Sequence, residues 1–425
     1  MPIHRPTRRR VLGGAAALSA SIAAAPFVRT RPLCDRLKLA AVGAANRGSA
    51  NIAGVLSHDV AALCDVDTNL LARGVGQVET AGQKRPKTYI DWRELLDEEK
   101  DLAGLVISTP DHTHAAIARA ALRRGIPVYC EKPLTRTVAE ARELLDLSRA
   151  AGVPTQMGTQ IHARDNYRRV VEAIRSGAIG EVQAVHVVCA KSWSDGRYGE
   201  AKPVPRGLDW DLWLGPTAER PYCDGVHPAQ WRRFWAFGTG TVGDMACHWV
   251  DLVHWALDLG TPNAIEVEGP EVHPDGTPKW MHVRWGHPAI EGRGAVEVHW
   301  WDGGMKPDFA PRENCHVFLG DAGRLVSTYD WMEVQLDEPG ATWTPPEPTI
   351  ESSPGHHVEW LRAIENSDPN APLCRFEYSV PLTESVLLAT VAYRAGGKIT
   401  WDAETATPSS GAEFVSAEER DGWEV

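Results

Sequence analysis

The stretch LKLAAVGAANRGSANIAGVLS, residues 37–57, decides the fold class of this chain. It opens with a short, mostly apolar run, and from Gly48 onward it has the periodicity of an amphipathic helix. Between the two lies GAANRG, whose position and spacing match the G-x-G-x-x-G turn that places a dinucleotide pyrophosphate at a helix N-terminus. The middle glycine is replaced by Ala45, which brings the backbone slightly less close to a phosphate. A tight structural turn is the alternative explanation.

Short apolar runs and helical segments continue to alternate after this stretch. VAALCDVD, LAGLVISTP, IPVYCEKP and PTQMGT have the character of buried strands, and DWRELLDEEK, HAAIARAALRRG and TVAEARELLDLSRAAG have helical periodicity. Alternation at this spacing builds βαβ units and a parallel sheet with both faces covered. The sequence therefore predicts an α/β fold whose first domain, a dinucleotide-binding unit, covers residues 37–159.

The pattern changes after residue 159. A helix, YRRVVEAIRSGAIG, and a strand, VQAVHVVCAKSW, lead into a loop rich in Pro, Gly and Trp and then into an apolar helix over residues 238–258. Strand-like alternation follows, from AIEVEG to EVQLDE, and HHVEWLRAIENS and PLTESVLLATVAYRAGG are predicted to be two closing helices. We expect an α+β domain with an open, mostly antiparallel sheet over residues 160–402, and an irregular tail over 403–425.

Bulk composition excludes several classes of partner. A formal net charge of −12 over 425 residues argues against nucleic acid and anionic membranes. Residues 1–33 have a basic start, a modest apolar run and small residues, and TRRRVL at 7–12 is typical of a twin-arginine export signal. We expect a periplasmic protein, with an uncleaved anchor as the alternative, and no spanning helix. The eight cysteines are scattered and predict no disulfide framework.

A carboxylate follows the second strand, where a dinucleotide ribose is bound in such folds. VAALCDVD leads to Asp65, about 20 residues beyond the glycine turn, and a carboxylate there accepts a hydrogen bond from the adenosine ribose. The same charge repels a 2′-phosphate, so NAD is predicted and NADP is disfavoured. Asp67 is explained more simply as a helix N-cap.

Two polar turns, STPDHTH at 108–114 and EKP at 131–133, follow apolar strands. Ligands of such sheets bind beyond the carboxyl ends of the strands, so both turns should face the nicotinamide, with Glu131 holding the Lys132 ammonium. The alternative is that Lys132 is a solvated surface lysine without a role in binding or catalysis. The predicted cofactor-binding residues are Gly43, Ala45, Asn46, Arg47, Gly48, Asp65, Val66, Ser108, Thr109, Pro110, His114, Glu131, Lys132 and Gln160.

The helix over residues 238–258 places Asp244, His248, Asp251 and Trp255 on one stripe and is apolar on nearly every other side. Such a helix is buried, and buried carboxylates and imidazoles are costly unless they are paired or used. The alternative is that neither residue has a catalytic role: Asp244 caps the helix, and His248 is a core residue whose polar atoms are hydrogen-bonded.

These motifs occur in one order that resembles the Gfo/Idh/MocA family, the relatives of glucose–fructose oxidoreductase and inositol dehydrogenase. The resemblance covers residues 37–402, and LDWDLWLGP, GTGTVGDMACHWVD and HWWDGGMKP are similar to its exported branch. It implies a Rossmann domain joined to an α/β domain whose open sheet forms oligomer contacts, so we expect a homo-oligomer, a dimer or a tetramer. By motif match, Lys132, Asp244 and His248 take the family's catalytic positions.

Oxidation of a secondary alcohol needs the groups that these motifs supply. His248 is the predicted base, Lys132 the cation beside the developing alkoxide, and Asp244 orients the imidazole or binds a substrate hydroxyl. A mixed metal site with Asp251 is not demanded by any spacing, and no metal is predicted. Amides and aromatic rings suit a sugar. The predicted substrate-contacting residues are His162, Tyr167, Arg168, Lys191, Trp193, Trp235, Asp244 and His248.

The sequence thus predicts an NAD-dependent oxidoreductase acting on a CH–OH group of a sugar, cyclitol or glycoside. Because an exported enzyme has little access to a cofactor pool, we expect NAD to be bound tightly and retained. One alternative is an NAD-dependent glycoside hydrolase or lyase that oxidises the ring transiently without net redox change. The other is a non-catalytic sugar-binding protein, against which the intact set of Lys132, Asp244 and His248 speaks.

Overall fold

The computed structural model describes residues 36–423. The export signal predicted for residues 1–33 and the last two residues lie outside this range. The first domain contains strands β1 (Lys38–Val42), β2 (Asp59–Cys64), β3 (Lys87–Tyr89), β4 (Gly104–Ile107), β5 (Val128–Cys130) and β6 (Thr155–Met157). Its helices are α1 (Arg47–Val55), α2 (Thr68–Thr80), α3 (Trp92–Glu98), α4 (Asp111–Arg123) and α5 (Val138–Ala151).

The six strands form one parallel sheet in the order β3-β2-β1-β4-β5-β6. This order reverses between β1 and β4, and the crevice at such a reversal is where doubly wound folds bind their ligands. β4 and β5 are buried along their whole length because helices cover both faces of the sheet. The predicted Rossmann fold is confirmed, and only the short edge strand β3 lacks an apolar run in the sequence.

The second domain is built on a nine-stranded sheet in the order β13-β12-β11-β7-β10-β9-β8-β14-β15. All neighbouring strands are antiparallel except β7 and β10, which confirms the mostly antiparallel sheet. The strands are β7 (Val182–Cys189), β8 (Ala264–Glu268), β9 (His282–His287), β10 (Val296–Asp302), β11 (Asn314–Gly320), β12 (Gly323–Ser327), β13 (Met332–Leu336), β14 (Lys398–Asp402) and β15 (Thr407–Pro408). The helices are α6 (Asp165–Arg175), α7 (Trp210–Leu214), α8 (Cys247–Leu257), α9 (His356–Asn366) and α10 (Phe376–Arg394).

Helix α10 begins at Phe376 rather than at Pro381, where the sequence pattern placed its start. Proline favours a first helical turn, but here it lies inside the helix, whose preceding residues are held by burial of Phe376. The longer helix packs against α5 of the first domain, and Arg142 of α5 pairs with Glu384 of α10 at 2.5 Å. Within the described residues, no helix combines the length and the apolar character that crossing a bilayer requires.

The apolar stretch at residues 238–258 is not one regular α-helix. Val242–Ala246 form a π-helical turn, and the α-helix α8 begins only at Cys247. A π-turn holds one residue more than an α-turn, so it rotates the residues before it relative to those after it. The predicted single stripe is therefore wrong. Asp244 faces the first domain, while Asp251 hydrogen-bonds inside the second domain to Tyr378 Oη at 2.7 Å.

Two late segments of the chain return to the first domain. Helix α9 lies against α1, and its fully buried Trp360 joins the core formed by one face of the parallel sheet. The tail beyond residue 402 contains β15 and a 3₁₀ turn, Ala412–Phe414, and so is less irregular than predicted. Near its end, Glu419 pairs with buried Arg119 of α4 at 2.9 Å. Both segments, although they follow residue 159 in the sequence, thus pack against the first domain.

Candidate active site

The glycine turn opens onto a cavity at the switch point of the parallel sheet. Gly43 follows β1 with φ +89, and a Cβ there would lie 2.6 Å from the Ser108 carbonyl oxygen, so only glycine fits. Helix α1 starts four residues later without a side-chain cap and without an acidic residue in its first turn. No side chain therefore competes with an anion at this helix end, although the Gly48 N–H donates to the Ala45 carbonyl oxygen at 2.8 Å.

The cavity has a volume of about 360 Å³ and runs from this turn to the second domain. Most of the predicted cofactor-binding residues lie in its wall: Gly43, Ala45, Asn46, Arg47, Asp65, Val66, Ser108, Thr109, Pro110, Glu131 and Lys132. Gly48 lies beneath the turn, where a Cβ would come within 2.1 Å of the Gly43 carbonyl oxygen. It shapes the turn rather than lining the cavity.

Asp65 lies at the end of β2 in this wall. Its carboxylate accepts hydrogen bonds from the backbone N–H groups of Ala44 at 2.9 Å and of Asp67 at 3.0 Å. These bonds fix the carboxylate beside the glycine turn, where it excludes a second phosphate by charge. Asp67 caps α2 by accepting from the backbone of Asn69, as predicted, and it also lies 3.1 Å from His227 Nε2.

Glu131 does not hold the ammonium of Lys132, contrary to the prediction. Its Oε1 atom instead accepts from Arg47 Nε at 2.9 Å, from Asn51 Nδ2 at 2.9 Å and from Gln160 Nε2 at 2.7 Å. Burial alone would raise the pKa of Glu131, but the charges of Arg47 and Lys132 outweigh it and lower the pKa to about 2. Gln160 thus supports the cofactor side of the cavity through Glu131.

His114 also acts behind the cavity wall. Its two ring nitrogens lie 2.9 Å from the carbonyl oxygens of Thr109 and Pro133, and its side chain is buried. Burial lowers the pKa of this imidazole. His114 therefore joins the two polar turns to each other instead of contacting the cofactor directly.

Lys132 and Asp244 meet across the boundary between the domains. Lys132 Nζ donates to the Asp244 carboxylate and, at 3.1 Å, to the Asp244 carbonyl oxygen. The same carboxylate accepts from Trp193 Nε1 at 2.8 Å and pairs with Arg232 Nε at 2.9 Å. Burial raises the pKa of Asp244, but Lys132 and Arg232 outweigh it and hold that pKa well below its usual range. Asp244 is an anchored anion, not the helix cap of the alternative explanation.

His248 lies beside this pair as a neutral imidazole. Burial, reinforced by the positive charge of Lys132, lowers the pKa of His248 to about 3, and its Nδ1 atom is buried without a hydrogen-bond partner. Among the described residues, no hydrogen bond joins Asp244 to His248, so the predicted orienting role of Asp244 is not observed. At pH 7 the ring is therefore neutral and keeps a nitrogen lone pair that can accept a hydrogen bond or a proton.

Three predicted substrate residues near the start of the second domain serve the interior instead. His162 is buried, with Nδ1 3.0 Å from Asp251 Oδ2. Tyr167 donates to the His248 carbonyl oxygen at 2.8 Å, and buried Arg168 donates to the carbonyl oxygens of Glu351 and His162, each at 2.7 Å. These contacts turn all three side chains inward, and none of the three lines the cavity, so their contact with substrate stays a prediction.

The two aromatic candidates for substrate contact, Trp193 and Trp235, lie in different places. Trp193 reaches the site through its bond to Asp244, whereas Trp235 donates to the His273 carbonyl oxygen at 3.1 Å and packs near Tyr393. Lys191 is exposed, with its Nζ 6.0 Å from the centre of the Trp193 ring. The structure therefore brings Trp193 to the site and removes Trp235 from the predicted set.

Sequence reasoning missed Arg232 and Asp111. Arg232 lies in a 3₁₀ turn, Trp231–Arg233, none of whose residues is among the predicted site residues. Asp111 begins α4 inside STPDHTH and is buried, with Oδ1 4.0 Å from Arg232 Nη2. Burial raises the pKa of Asp111 to about 7, with Asp244 adding to the shift. No sequence motif could have linked Arg232 to Asp111, because the two residues belong to different domains.

A metal site of Asp244 and His248 with Asp251 is not assembled. Asp251 instead lies with His162 and Cys374, whose potential ligand atoms are within 4.8 Å of one another. This group is buried, and Asp251 already accepts from Tyr378 and faces His162. That no metal is needed stays a prediction.

The sequence matches two family models. One, described as the NAD-binding Rossmann fold of an oxidoreductase family, covers residues 37–159, and the other, its C-terminal alpha/beta domain, covers residues 172–289. Together they span more than half of the chain. The chain belongs to the Gfo/Idh/MocA oxidoreductase family. Its first domain is an NAD-binding Rossmann domain, as predicted.

Known members of the Gfo/Idh/MocA family share part of this sequence. A glycosyl hydrolase family 109 protein of Stenotrophomonas maltophilia is 30% identical over 39% of this chain and 39% of its own length. Levoglucosan dehydrogenase of Pseudarthrobacter phenanthrenivorans is 25% identical over 41% of this chain and 38% of its own. Inositol 2-dehydrogenase of Salmonella typhimurium is 29% identical over 35% of this chain and 40% of its own length. The match thus spans about two fifths of the length of these curated relatives.

Solved structures agree in fold. The WlbA dehydrogenase of Chromobacterium violaceum, in complex with NADH and UDP-GlcNAcA, has a TM-score of 0.63 at 16% identity, covering 89% of this chain and 99% of that one. A levoglucosan dehydrogenase in complex with NADH has a TM-score of 0.57 at 17% identity, covering 84% and 97%. At these identities, the likeness supports the two-domain Gfo/Idh/MocA architecture and nothing further.

Proposed function

We propose that this protein transfers a hydride between tightly bound NAD and a secondary hydroxyl group of a sugar, cyclitol or glycoside. One observation carries the proposal. Lys132, from the turn behind β5, and Asp244, from the second domain, are joined in the wall of the cavity that contains the dinucleotide turn. Neutral His248 lies beside them. A cation, a fixed anion and a proton acceptor are the groups that this reaction needs.

The cavity fits NAD. The uncapped N-terminus of α1 offers N–H groups to a pyrophosphate, and Gly43, packed against Ser108, keeps the turn before it tight. Asp65 is positioned to accept from a ribose hydroxyl, which supports NAD over NADP because its charge opposes a 2′-phosphate. When bound there, NAD supplies the acceptor or donor of the hydride.

The side chains of this chain perform the proton chemistry. Lys132 places its ammonium where negative charge develops on the substrate oxygen, and Asp244 fixes that ammonium through two hydrogen bonds. His248 takes the hydroxyl proton, since its imidazole is neutral at pH 7. Asp244 is a positioning residue for Lys132 in this scheme.

The substrate class rests on the second half of the cavity and on the relatives. Trp213 and Trp231 line the wall near Lys132, and aromatic faces of this kind stack on sugar rings. Among the relatives are proteins named levoglucosan dehydrogenase and inositol 2-dehydrogenase. Both names denote polyhydroxylated rings, which supports the same class here.

Three variants test the proposal. Lys132→Met and His248→Ala should each lower kcat by 100-fold or more, because they remove a charged stabiliser and the base. Lys84→Met, at an exposed lysine of the first domain that does not line the cavity, is the matched control and should retain activity. The assay follows nicotinamide absorbance with a panel of sugars and inositols, after the nucleotide released by denaturing the purified protein has been identified. Full activity in both site variants would refute the assignment.

A second candidate function is hydrolysis or elimination through transient ring oxidation. The observation that favours it is the 30% identity to a glycosyl hydrolase family 109 protein. In such a reaction the hydride returns to the substrate and no net redox change occurs. Release of aglycone from aryl glycosides without net accumulation of NADH would establish this function in place of the first.

We further propose that the second domain forms a homo-oligomer, a dimer or a tetramer, through the outer face of its sheet. This face carries a half-buried layer of rings, with His186 stacked on His299 at 4.2 Å and His282 on Trp301 at 3.5 Å. Phe309, 43% exposed, extends this surface, and exposed apolar area of this kind marks association sites.

Light scattering after gel filtration tests this assembly. Phe309→Glu should convert the assembly to a monomer, because a carboxylate would be buried against the aromatic layer of the second copy. Val272→Glu, at a site 41% exposed elsewhere on the domain, is the control and should leave the mass unchanged. A monomeric parent protein would contradict the proposal.

We also propose export to the periplasm through the twin-arginine pathway, on the evidence of TRRRVL at residues 7–12. Replacing Arg8, Arg9 and Arg10 together with lysine should leave the protein in the cytoplasmic fraction. Unchanged export of that variant would remove the assignment.

A further inference from the structure

Arg232 lies at the end of the cavity where the domains meet. Its guanidinium carbon is 4.1 Å from the centre of the Trp231 ring, and its Nε atom pairs with Asp244 Oδ1 at 2.9 Å. The side chain remains 27% exposed and lines the cavity together with Lys132 and Asp244. Stacking and the Nε contact fix the plane of the guanidinium group.

The two terminal nitrogens of Arg232 are open. Within residues 36–423, neither Nη1 nor Nη2 donates a hydrogen bond, and Asp111 Oδ1, at 4.0 Å from Nη2, is too distant to accept one. The contact of Arg232 Nε with Asp244 is an ion pair without an aligned hydrogen bond, and the two terminal nitrogens of this cavity-lining residue keep a planar pair of N–H donors that no side chain of the described residues occupies. This fork matches the two oxygens of a carboxylate.

The charges at this end of the cavity leave a positive excess. Lys132 and Arg232 are both cations; Asp244 pairs with each of them, and Asp111 lies 4.0 Å from Arg232 Nη2. Glu131 is engaged by Arg47. Asp111 compensates only in part at neutral pH, because burial raises its pKa to about 7. When Asp111 is protonated, one positive charge at this partly buried site exceeds the carboxylates paired with it, and an anionic ligand balances that charge.

We propose that the substrate is a sugar acid, whose carboxylate is bound by Nη1 and Nη2 of Arg232 while its hydroxyl group faces Lys132. This inference rests on the proposed function and specifies its substrate class. A planar carboxylate uses both donors of the fork, whereas a neutral hydroxyl uses one and leaves the positive excess in place.

The test compares matched pairs of ligands on the purified protein: glucuronate with glucose, and galacturonate with galactose. Binding is measured by calorimetry and turnover by nicotinamide absorbance. We expect the acid of each pair to bind and react at least 10-fold better, because only the acid forms a charged, two-pronged hydrogen-bonded pair with Arg232. Glucose 6-phosphate serves as a third arm that separates a carboxylate from a phosphate.

Variants assign the preference to Arg232. The measured quantity is kcat/KM for the sugar acid divided by kcat/KM for the neutral sugar. Arg232→Gln should lower this ratio by at least 10-fold, and Arg232→Lys should keep only part of the preference because lysine lacks the fork. Arg233→Gln, the next residue of the same turn, does not line the cavity and should keep the parent ratio.

This test distinguishes failure of the sugar-acid inference from failure of the proposed function. Equal or better binding and turnover of the neutral sugars, or a preference for the phosphate, would overturn the sugar-acid inference and leave hydride transfer intact. If neither acids nor neutral sugars bind or change nicotinamide absorbance, and no aglycone is released, the proposed function fails and the inference fails with it.

Discussion

Replacing Asp111 with asparagine should stabilise the protein at alkaline pH. The Asp111 side chain is 1% exposed, its Oδ1 atom has no hydrogen-bond partner, and Oδ2 accepts only from Thr239 Oγ1 at 3.3 Å. Burial raises the pKa of this carboxyl from 3.8 to about 7. The folded state therefore holds the proton more tightly than the unfolded chain does.

The sign and size of the effect follow from this shift. The contribution of Asp111 to the free energy of unfolding falls as pH rises from about 4 to about 7 and is constant above that range. About 3 pKa units correspond to ~4 kcal/mol, of which roughly 3 kcal/mol is lost between pH 5 and pH 8.5. The N-terminus of α4 favours the ionised form, so this figure is an upper bound.

Urea unfolding of the parent protein and of Asp111→Asn, at pH 5 and at pH 8.5, measures this loss. The variant should gain up to ~3 kcal/mol relative to the parent between the two pH values, and any intrinsic effect of asparagine cancels in that comparison. Asp146→Asn, on the exposed side of α5, is the control and should show no such gain. An equal difference at both pH values would refute the buried, protonated carboxyl.

Three further predictions concern the site. Asp244→Ala should lower the free energy of unfolding by about 3–5 kcal/mol, since it leaves Lys132 and Arg232 without their carboxylate, and Asp244→Asn should cost less; urea unfolding compares the two. In the Asp111→Asn background, kcat should stay level from pH 5 to pH 8, because burial and Lys132 keep the pKa of His248 near 3; a fall in rate centred near pH 6.5 would show an exposed imidazole instead. Asp65→Ser should raise the ratio of NADP to NAD affinity by roughly 10-fold through removal of the repelling charge, measured by fluorescence titration, at a cost in thermal stability from the two released N–H groups.

Much of the fold is readable from the sequence because it depends on local patterns. Alternating apolar strands and amphipathic helices predict the parallel sheet, and the glycine spacing with Asp65 predicts the dinucleotide turn. The edge strand β3 is missed because its residues, Lys87–Tyr89, are mostly exposed and carry no apolar run. The start of α10 is misplaced because Pro381 resembles a first-turn proline, although burial of preceding residues decides where the helix begins.

The site is predictable only where one motif carries the geometry. Lys132 and Asp244 are found because each belongs to a recognisable pattern, but their contact depends on how the two domains pack. His162, Tyr167 and Arg168 have the residue types that suit a sugar, yet they are oriented inward by partners distant in sequence. Arg232 is missed because an arginine in a turn gives no signal until its neighbours in space are known.

The order of synthesis differs from the order in which the cofactor domain is completed. Trp360, which fills one face of its sheet, and Glu419, which neutralises Arg119, are made long after the last of its strands. A ribosome-bound chain that ends before these residues exposes an unfinished core and leaves Arg119 with Glu143 but without its second carboxylate. We therefore expect the cofactor domain to complete its core, and to bind nucleotide stably, only after nearly the whole polypeptide has been made.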